Sequence, residues 1–353
     1  MNNTYSAERN KGVLVMIQFP RLKHDATIGV TAPSSGVPDA LHKMFQSACD
    51  KMEERGYKVQ CGQTVWTQVK AKSASGKVRA YELMSMLKNE EINLIIPPWG
   101  GELLIEIFEH FLFQEIKPKW VLGYSDTSLF LFALTINTGI ATAHGPNLVD
   151  LRGEYWDETT KMWERVLQLE EGKSITQYSS TYFQKEWQHS NPSPCVFHLT
   201  EPTEWKMVGN KELVIEGRLL GGCIDVIRHA IGTPCGDVKS FQQRFLQGEK
   251  LVWYFENCEL SATDLRRTLV QMKLAGWFDY CSGILFGRST ANHPVGGYTA
   301  EDVYEALLKE LEVPIAYDLD FGHMPPQLTL VNGAFAKVEI KNGKGYIKQT
   351  FKN

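Results

Sequence analysis

The sequence predicts an α/β protein with an open parallel sheet in its N-terminal half and a mixed α/β domain in its C-terminal half. In the first half, short apolar runs alternate with amphipathic segments of helical period as far as His144, which is typical of a parallel sheet covered by helices. In the second half, apolar runs and helices lead to an alternating C-terminal stretch that favours a hairpin. The length of 353 residues suits about two domains.

The N-terminal elements follow in order. The apolar run 26–33 predicts a buried first strand, and Pro38 opens a helix that ends at Gly56, because proline suits a first helical turn and glycine a C-terminal end. The later predicted elements are strands at 57–60 and 92–96 and helices at 78–87 and 102–111. In an open sheet of this kind, ligands gather beyond the carboxyl ends of the strands.

The C-terminal elements are predicted in the same way. Strands are expected at 251–255, 283–287 and 314–321, helices after Ser261 and Thr299, and a hairpin that turns at Asn342-Gly343. A helix over 157–169 precedes a polar, aromatic-containing segment. The predicted organisation is a flexible leader at 1–20, a nucleophile domain at 21–155, an interdomain crossing at 156–205 and a second domain at 206–353.

Composition excludes several classes of protein. The net charge of −4 and the pI near 6.2 give no basic field for nucleic acid or a charged membrane surface. No apolar run approaches the ~20 residues of a membrane span. The seven cysteines are odd in number and scattered, which favours reduced thiols and a cytoplasmic location over disulfides or a zinc site.

Ser125 stands where a strand is expected to turn into a helix. The stretch Gly123-Tyr-Ser-Asp-Thr127 is similar to the G-x-S-x-G elbow, in which a sharp turn exposes the hydroxyl and the next backbone N–H helps to hold an oxyanion. Thr127 replaces the second glycine. Because serine and aspartate at a helix start are equally typical of an N-cap, the motif alone leaves both interpretations open.

A nucleophilic serine needs a base to take its proton and a carboxylate to orient that base. Glu256 ends the apolar run 251–255, and His323 follows the strand predicted at 314–321. Considered singly, such a glutamate more often caps a helix or pairs with an arginine, and a loop histidine is more often solvated. Their occurrence together with Ser125 favours a catalytic set.

Five motifs of the chain resemble one family in order and spacing. They are Pro98-Trp-Gly-Gly101, Gly123-Tyr-Ser-Asp-Thr127, Gly217-Arg-Leu-Leu-Gly-Gly-Cys-Ile-Asp225, Phe255-Glu256 and Phe321-Gly-His323. The family is that of the serine peptidases comprising LD-carboxypeptidases and microcin C immunity peptidases. The resemblance extends over nearly the whole chain from about Met16 onward.

This resemblance implies a Ser-His-Glu triad with Ser125 as nucleophile, His323 as general base and Glu256 as its orienter. It implies an oxyanion hole made by the backbone N–H groups of Gly101 and Asp126, and no metal or cofactor. It further implies a flavodoxin- or amidotransferase-like N-terminal sheet, a β-barrel-like sheet in the second domain, and a homodimer. The implied substrates are small peptides or peptide-nucleotide conjugates cleaved near a peptide C-terminus.

Substrate-binding residues are expected around the paired glycines and in the crossing. Many LD-carboxypeptidases have an arginine before these glycines, whereas this chain has Trp99 beside Gly100. Trp187 is a candidate platform for a flat group, with packing between domains as the alternative. Arg218 and Arg288 are candidates to bind a substrate carboxylate, although Arg218 is equally suited to pinning the second domain internally.

Three other readings of the chain remain at this point. Within the enzyme class, a muramoyl-tetrapeptide LD-carboxypeptidase is the alternative to a microcin-immunity-like peptidase, which the aromatic crossing favours. From another class, a non-catalytic protein would use Trp99 and Trp187 to hold a peptide or nucleotide, but it would not need a paired acid and base. Metal-dependent hydrolysis lacks supporting ligand spacing among the nine histidines.

Overall fold

The computed structural model describes residues 16–188, 190–209 and 212–352. Its strands are β1 (Thr27–Val30), β2 (Lys58–Cys61), β3 (Ile92–Ile96), β4 (Trp120–Gly123), β5 (Thr142–His144), β6 (Ser174–Tyr178), β7 (Tyr182–Phe183), β8 (Glu201–Pro202), β9 (Lys206–Met207), β10 (Glu212–Cys223), β11 (Leu251–Glu256), β12 (Cys281–Gly287), β13 (Ile315–Leu319), β14 (Leu330–Asn332), β15 (Phe335–Lys341) and β16 (Lys344–Thr350). Its α-helices are α1 (His42–Glu54), α2 (Gly76–Lys88), α3 (Thr127–Thr138), α4 (Met162–Leu167), α5 (Ile224–Ile227), α6 (Val238–Phe241), α7 (Ala262–Leu274) and α8 (Ala300–Leu311). The chain therefore mixes strands and helices throughout, as predicted.

The first sheet has the strand order β14-β5-β4-β3-β1-β2. Its strands from β1 to β5 are mutually parallel, whereas β14 comes from the C-terminal half and pairs antiparallel with β5. Parallel strands end at the same edge of a sheet. The segments that follow β3, β4 and β5 therefore lie side by side, and they carry Gly100, Ser125 and His144.

The second sheet has eight strands in the order β6-β16-β15-β10-β11-β12-β13-β9. Strands β10 to β13 are parallel, and the flanking strands are antiparallel. This is the mixed sheet that the sequence predicts. Within the described chain, β6 and β9 do not pair with each other, so the sheet is open rather than closed into a barrel.

Helix α3 packs between the two sheets. Ten of its residues are buried on all sides, as expected for a helix that is apolar all round. Its Phe132 stacks on Trp277 at a centroid distance of 5.1 Å, and Trp277 stacks on Trp253 of β11 at 5.4 Å. One continuous apolar core therefore joins the nucleophile strand to the second sheet.

Several local predictions need correction. The helix expected at 102–111 is a 3₁₀ segment, Leu104–Glu109, because it follows directly on two glycines and is held at Leu104 by a side-chain hydrogen bond. The crossing contributes β6 to the second sheet. In the predicted leader, Ile17 is buried and Gln18 is bridged to Ile140, so this end of it is anchored to the first half of the chain; residues 1–15 lie outside the described residues.

Two further observations concern the chain as a whole. All seven cysteines are free thiols, as predicted from their odd number and scatter. In the portion of the chain that the structure describes, no helix is both long and apolar enough to span a membrane.

Candidate active site

Ser125 lies at the corner between β4 and α3. Its φ of 62° is in the left-handed region, which non-glycine residues adopt rarely and usually at functional sites. Strand β4 is buried along its whole length, and α3 begins two residues after the serine. The corner therefore lifts a partly exposed hydroxyl out of a rigid, buried strand and helix.

Gly100 lies directly beside the serine. A Cβ atom built on Gly100 would come within 2.6 Å of Ser125 Oγ and 3.1 Å of the backbone nitrogen of Asp126. Gly101 has a φ of +144°, and a Cβ there would come within 2.4 Å of Ser34 Oγ. A side chain at either position would therefore collide with the serine corner or with the loop after β1, so glycine keeps the space beside Ser125 Oγ and the Asp126 N–H open.

The Asp126 side chain ties these segments together. Its Oδ2 accepts hydrogen bonds from Ser34 Oγ at 2.5 Å and from the backbone N–H of Leu104 at 2.8 Å. Burial raises the pKa of Asp126 to about 6, although both hydrogen bonds oppose the rise. The aspartate therefore fixes the loop after β1 and the turn after Gly101 to the serine corner.

Glu256 and His323 form a direct pair in the C-terminal half. Glu256 is the last residue of β11 and is fully buried, and His323 Nδ1 lies 2.7 Å from Glu256 Oε2. Gly322 has a φ of +101°, and a Cβ there would come within 2.6 Å of Glu256 Cβ. Glycine is therefore required before the histidine, since a side chain would collide with the carboxylate residue.

The pair has the electrostatics of a base and its orienter. Burial alone would raise the pKa of Glu256, but His323 and His144 hold this pKa well below its usual range. Burial alone would lower the pKa of His323, but the Glu256 charge and a hydrogen bond with Cys258 raise it well above its usual value. An ionised Glu256 accepts a hydrogen bond from Nδ1–H, which leaves Nε2 of a neutral His323 available to accept a proton.

Tyr124 connects the two halves of the site. This residue precedes Ser125, and its ring lies edge-on to the His323 ring at a centroid distance of 5.0 Å. Burial raises its pKa well above the ordinary value, with the Asp150 and Glu256 charges adding to the effect. The serine corner and the histidine loop therefore meet at this ring.

The other predicted residues divide into two groups. Trp187 is near the pair, since its Nε1 donates a hydrogen bond of 2.9 Å to the His323 carbonyl, and the half-buried Trp99 packs on the main core beside Gly100. Arg218 lies in internal contacts: it pairs with Glu249 and donates to the carbonyls of Gly333 and Lys352 at 3.0 and 2.6 Å. These are the contacts of the alternative, in which Arg218 pins the second domain.

Some residues of the site were not predicted from the sequence. They are Ser34, Tyr124, His144 and the side chain of Asp126. Their positions after β1, β4 and β5 offered a signal, because the ends of parallel strands converge, but their partners could not be identified before the strand order was known. Among the described residues, no group of three or more His, Cys, Asp or Glu side chains is arranged to hold a metal ion.

Two family models match the chain. The LD-carboxypeptidase N-terminal domain matches residues 28–145, and the LD-carboxypeptidase C-terminal domain matches residues 216–338. The first range includes Gly100, Gly101 and Ser125, and the second includes Glu256 and His323. The two matched ranges thus contain both halves of the site.

Relatives cover nearly the full length of the chain. The microcin C7 self-immunity protein MccF of Escherichia coli is 24% identical over 326 residues, which are 90% of this chain and 91% of MccF. The "Probable murein peptide carboxypeptidase" of Bacillus subtilis is 25% identical over 335 residues, which are 92% of this chain and 93% of the relative. Both relatives are thus similar along both domains.

Solved structures share the fold. MccF in an inactive mutant apo state has a TM-score of 0.80 at 22% identity, and the match covers 96% of this chain and 100% of MccF. MccF has also been solved with glutamyl sulfamoyl guanosine and with aspartyl sulfamoyl adenosine. The muramoyltetrapeptide carboxypeptidase of Oxalobacter formigenes has a TM-score of 0.69 at 20% identity, covering 92% and 99% of the two chains. The chain therefore belongs to the LD-carboxypeptidase family of serine peptidases.

Proposed function

We propose that Ser125, His323 and Glu256 form the triad of a carboxypeptidase-type amide hydrolase. The observation that carries the proposal is the 2.7 Å contact between His323 and a fully buried Glu256, at a loop that meets the strained serine corner through Tyr124. A buried acid held ionised against an imidazole is what a serine nucleophile requires. A protein that only binds ligands does not require such a pair of buried carboxylate and imidazole.

The reaction proceeds by acyl transfer. Ser125 Oγ attacks the amide carbonyl carbon while His323 Nε2 accepts the hydroxyl proton, and the N–H groups of Gly101 and Asp126 hold the oxyanion. The C–N bond then breaks, and the departing amine takes the proton from Nε2. Water attacks the resulting ester with His323 again acting as base, which releases the acid and restores the serine.

We place the substrate among peptide-nucleotide or aminoacyl-nucleotide conjugates, the class represented by the sulfamoyl nucleosides bound to MccF. Two aromatic residues support this choice. Trp187 contacts the His323 loop and lies edge-on to Phe197 at 5.6 Å, and Trp99 stands next to Gly100 where many LD-carboxypeptidases have arginine. Aromatic rings suit a nucleobase better than a free carboxylate.

A muramoyl tetrapeptide is the second candidate substrate. It is supported by the likeness to the muramoyltetrapeptide carboxypeptidase, which spans 92% of this chain. The same triad would release a C-terminal D-residue by the same steps. The two candidates differ in what lies beyond the scissile amide, a nucleotide or a peptide terminus bearing a carboxylate.

We further propose a cytoplasmic homodimer. Family membership supports the dimer, and seven free thiols suit a reducing compartment. Sedimentation analysis gives the oligomeric state directly. A monomer at micromolar concentration would contradict this part alone.

Mass analysis of products tests the proposed function. The protein is incubated with an aminoacyl sulfamoyl adenosine and, separately, with a muramoyl tetrapeptide. We expect the first to be hydrolysed, and Ser125→Ala to abolish both hydrolysis and labelling by a serine-reactive phosphonate. Ser174→Ala is the matched control, because this serine bonds only to Thr350 on the edge of the second sheet. Unchanged hydrolysis in Ser125→Ala would refute the triad.

A further inference from the structure

His144 is a fully buried histidine at the carboxyl end of β5. Its ring is enclosed by aromatic rings, with centroid distances of 6.3 Å to Tyr124, 5.6 Å to Tyr254 and 6.4 Å to Phe321. Its backbone pairs with Leu330 of β14. The side chain is therefore held in one place by packing, without contact with solvent.

Three polar atoms of His144 and Glu256 lack hydrogen-bond partners among the described residues. They are Nδ1 and Nε2 of His144 and Oε1 of Glu256. Buried polar groups are nearly always bonded, because leaving one unpaired costs free energy. Here Nε2 of His144 lies 3.9 Å from Oε1 of Glu256, so a ring nitrogen and a carboxylate oxygen that both lack partners are near neighbours.

We infer that His144 is a positioning residue for the triad carboxylate, with its Nε2–H directed at Glu256 Oε1. The inference rests on the proposed function, since it concerns the orientation of Glu256 toward His323. The carboxylate then lies between two imidazoles, with Oε2 on His323 and Oε1 toward His144. A contraction of about 1 Å brings the second contact into hydrogen-bond range.

This arrangement fixes the rotation of the carboxylate. With Oε2 alone bonded, the group could turn about its terminal torsion, which is broad for glutamate. A donor at Oε1 opposes that turn, so the proton on His323 Nδ1 keeps its acceptor and Nε2 stays the unprotonated nitrogen of the neutral ring. His144 also offsets the cost of burying the Glu256 charge, in agreement with its part in lowering the pKa of Glu256.

Other titratable groups near Glu256 do not supply this contact. Burial raises the pKa of Tyr124 and of Cys223 well above their ordinary values and the Glu256 charge adds to both rises, whereas the side-chain hydrogen bonds of these two groups go to Asp150 and Asp225. Cys258 contacts His323 and not the free oxygen of Glu256. Within the described residues, His144 is thus the titratable side chain that faces Oε1.

Two variants of His144 separate positioning from packing. His144→Phe keeps a ring and removes both nitrogens, and His144→Gln keeps a donor. We expect His144→Phe to lower kcat by about 10- to 100-fold with little change in KM, the effect of losing a hydrogen bond to a charged group. We also expect the acid limb of its kcat/KM profile to move to lower pH. A Glu256 carboxylate that is free to rotate would raise the pKa of His323 less than the fixed carboxylate of the native protein does. His144→Gln should retain most of the activity and the native acid limb.

The control is His24→Phe, since His24 is exposed, lies before β1 and bonds to Gln168. A native kcat in His144→Phe would overturn the inference. So would a reduced kcat in both His144 variants with the acid limb of kcat/KM at its native pH. Neither result would bear on the Ser125→Ala test of the proposed function. Should His144→Phe fail to fold, nitrogen NMR of the unmodified protein tests the inference by showing which ring nitrogen of His144 carries the proton. A proton on Nε2 of His144 supports the inference, and a neutral ring protonated only on Nδ1 overturns it.

Discussion

The two halves of the active site are built in different ways. In the half proposed to carry the nucleophile, the backbone conformation sets the geometry. Ser125 has a φ of 62°, and a Cβ atom on Gly100 would collide with the Ser125 side chain. On the base side, side chains separated by 67 positions meet as Glu256 and His323. Substitutions in the first half should therefore lower activity through steric collision. Substitutions in the second half should lower it through the loss of a charge and of side-chain orientation.

Replacing Glu256 by glutamine gives the largest expected effect in this comparison. We expect kcat to fall by about 10⁴-fold, the loss seen when an amide replaces the carboxylate of a Ser-His-Asp triad. The reason is that a glutamine no longer holds the His323 proton on Nδ1. The Glu256 charge raises the pKa of His323 despite burial, and a base must be neutral to accept a proton. The acid limb of kcat/KM should thus lie above the usual histidine range of about 6.5 in the native protein and move to lower pH in Glu256→Gln.

Measured pH–rate profiles of the two proteins check this expectation. Glu249→Gln is the control, because Glu249 pairs with Arg218 away from the site. An acid limb that stays in place in Glu256→Gln would mean that Glu256 does not set the protonation of the base.

Gly100→Ala tests the nucleophile side. The new methyl group would lie about where a substrate carbonyl must enter, 2.6 Å from Ser125 Oγ, so we expect about 10²- to 10³-fold lower kcat, comparable to the loss of an oxyanion donor. The acid limb should not move, because no charge changes. Gly172→Ala is the control for backbone strain without collision, since Gly172 has a φ of +80° but a Cβ there meets no atom within 4 Å. A shifted acid limb in Gly100→Ala would contradict the prediction that this half of the site acts through steric fit alone.

Ser34→Ala removes one of the two hydrogen bonds to Asp126. The backbone N–H of Leu104 still holds the same carboxylate oxygen at 2.8 Å, so we expect only about a tenfold loss of kcat. Because the Ser34 hydrogen bond lowers the pKa of Asp126 from a value that burial has raised, that pKa should rise further. Carboxyl NMR of Asp126 measures it, and Ser35→Ala is the neighbouring control. A pKa that stays near 6 would contradict the role given to Ser34.

Trp187→Phe should have the smallest effect. The ring remains while the hydrogen bond to the His323 carbonyl is lost, so we expect kcat to fall by less than about tenfold with KM for the nucleotide conjugate unchanged. Trp187→Ala removes the ring as well and should raise that KM by about 5- to 100-fold if a base stacks there. Equal KM values for both variants and the native protein would remove Trp187 from the substrate site.

Local patterns were sufficient to predict the sharp corner at Ser125 and the close approach of the paired glycines. The elbow at Ser125 and the glycines at 100 and 101 are read from short stretches whose conformation depends on near neighbours. Glu256 and His323 were candidates from their positions at strand ends, but the triad roles proposed for them came from the family resemblance, because a glutamate at a strand end and a histidine in a loop have several ordinary roles.

Long-range contacts account for what the sequence could not predict. The addition of β14 to the first sheet depends on three residues, Leu330 to Asn332, too few to give a periodic signal. The unpaired nitrogens of His144 become visible only once β5, β11 and the aromatic rings are placed together. The internal use of Arg218 depends likewise on Glu249 and on carbonyls near the C-terminus.

The return of β14 to the first sheet also limits how the enzyme can open. The loop that carries His323 leaves the second sheet at Leu319 and enters the first at Leu330, so it is anchored in both bodies. Swinging the two bodies apart would break the ladder between β14 and β5 before it moved the imidazole away from the serine. The segment between β6 and β8 contacts this loop at two points, since Trp187 donates to the His323 carbonyl and the backbone N–H of Gln184 donates to the Pro325 carbonyl, so any motion of Gln184 and Trp187 would disturb the anchored histidine.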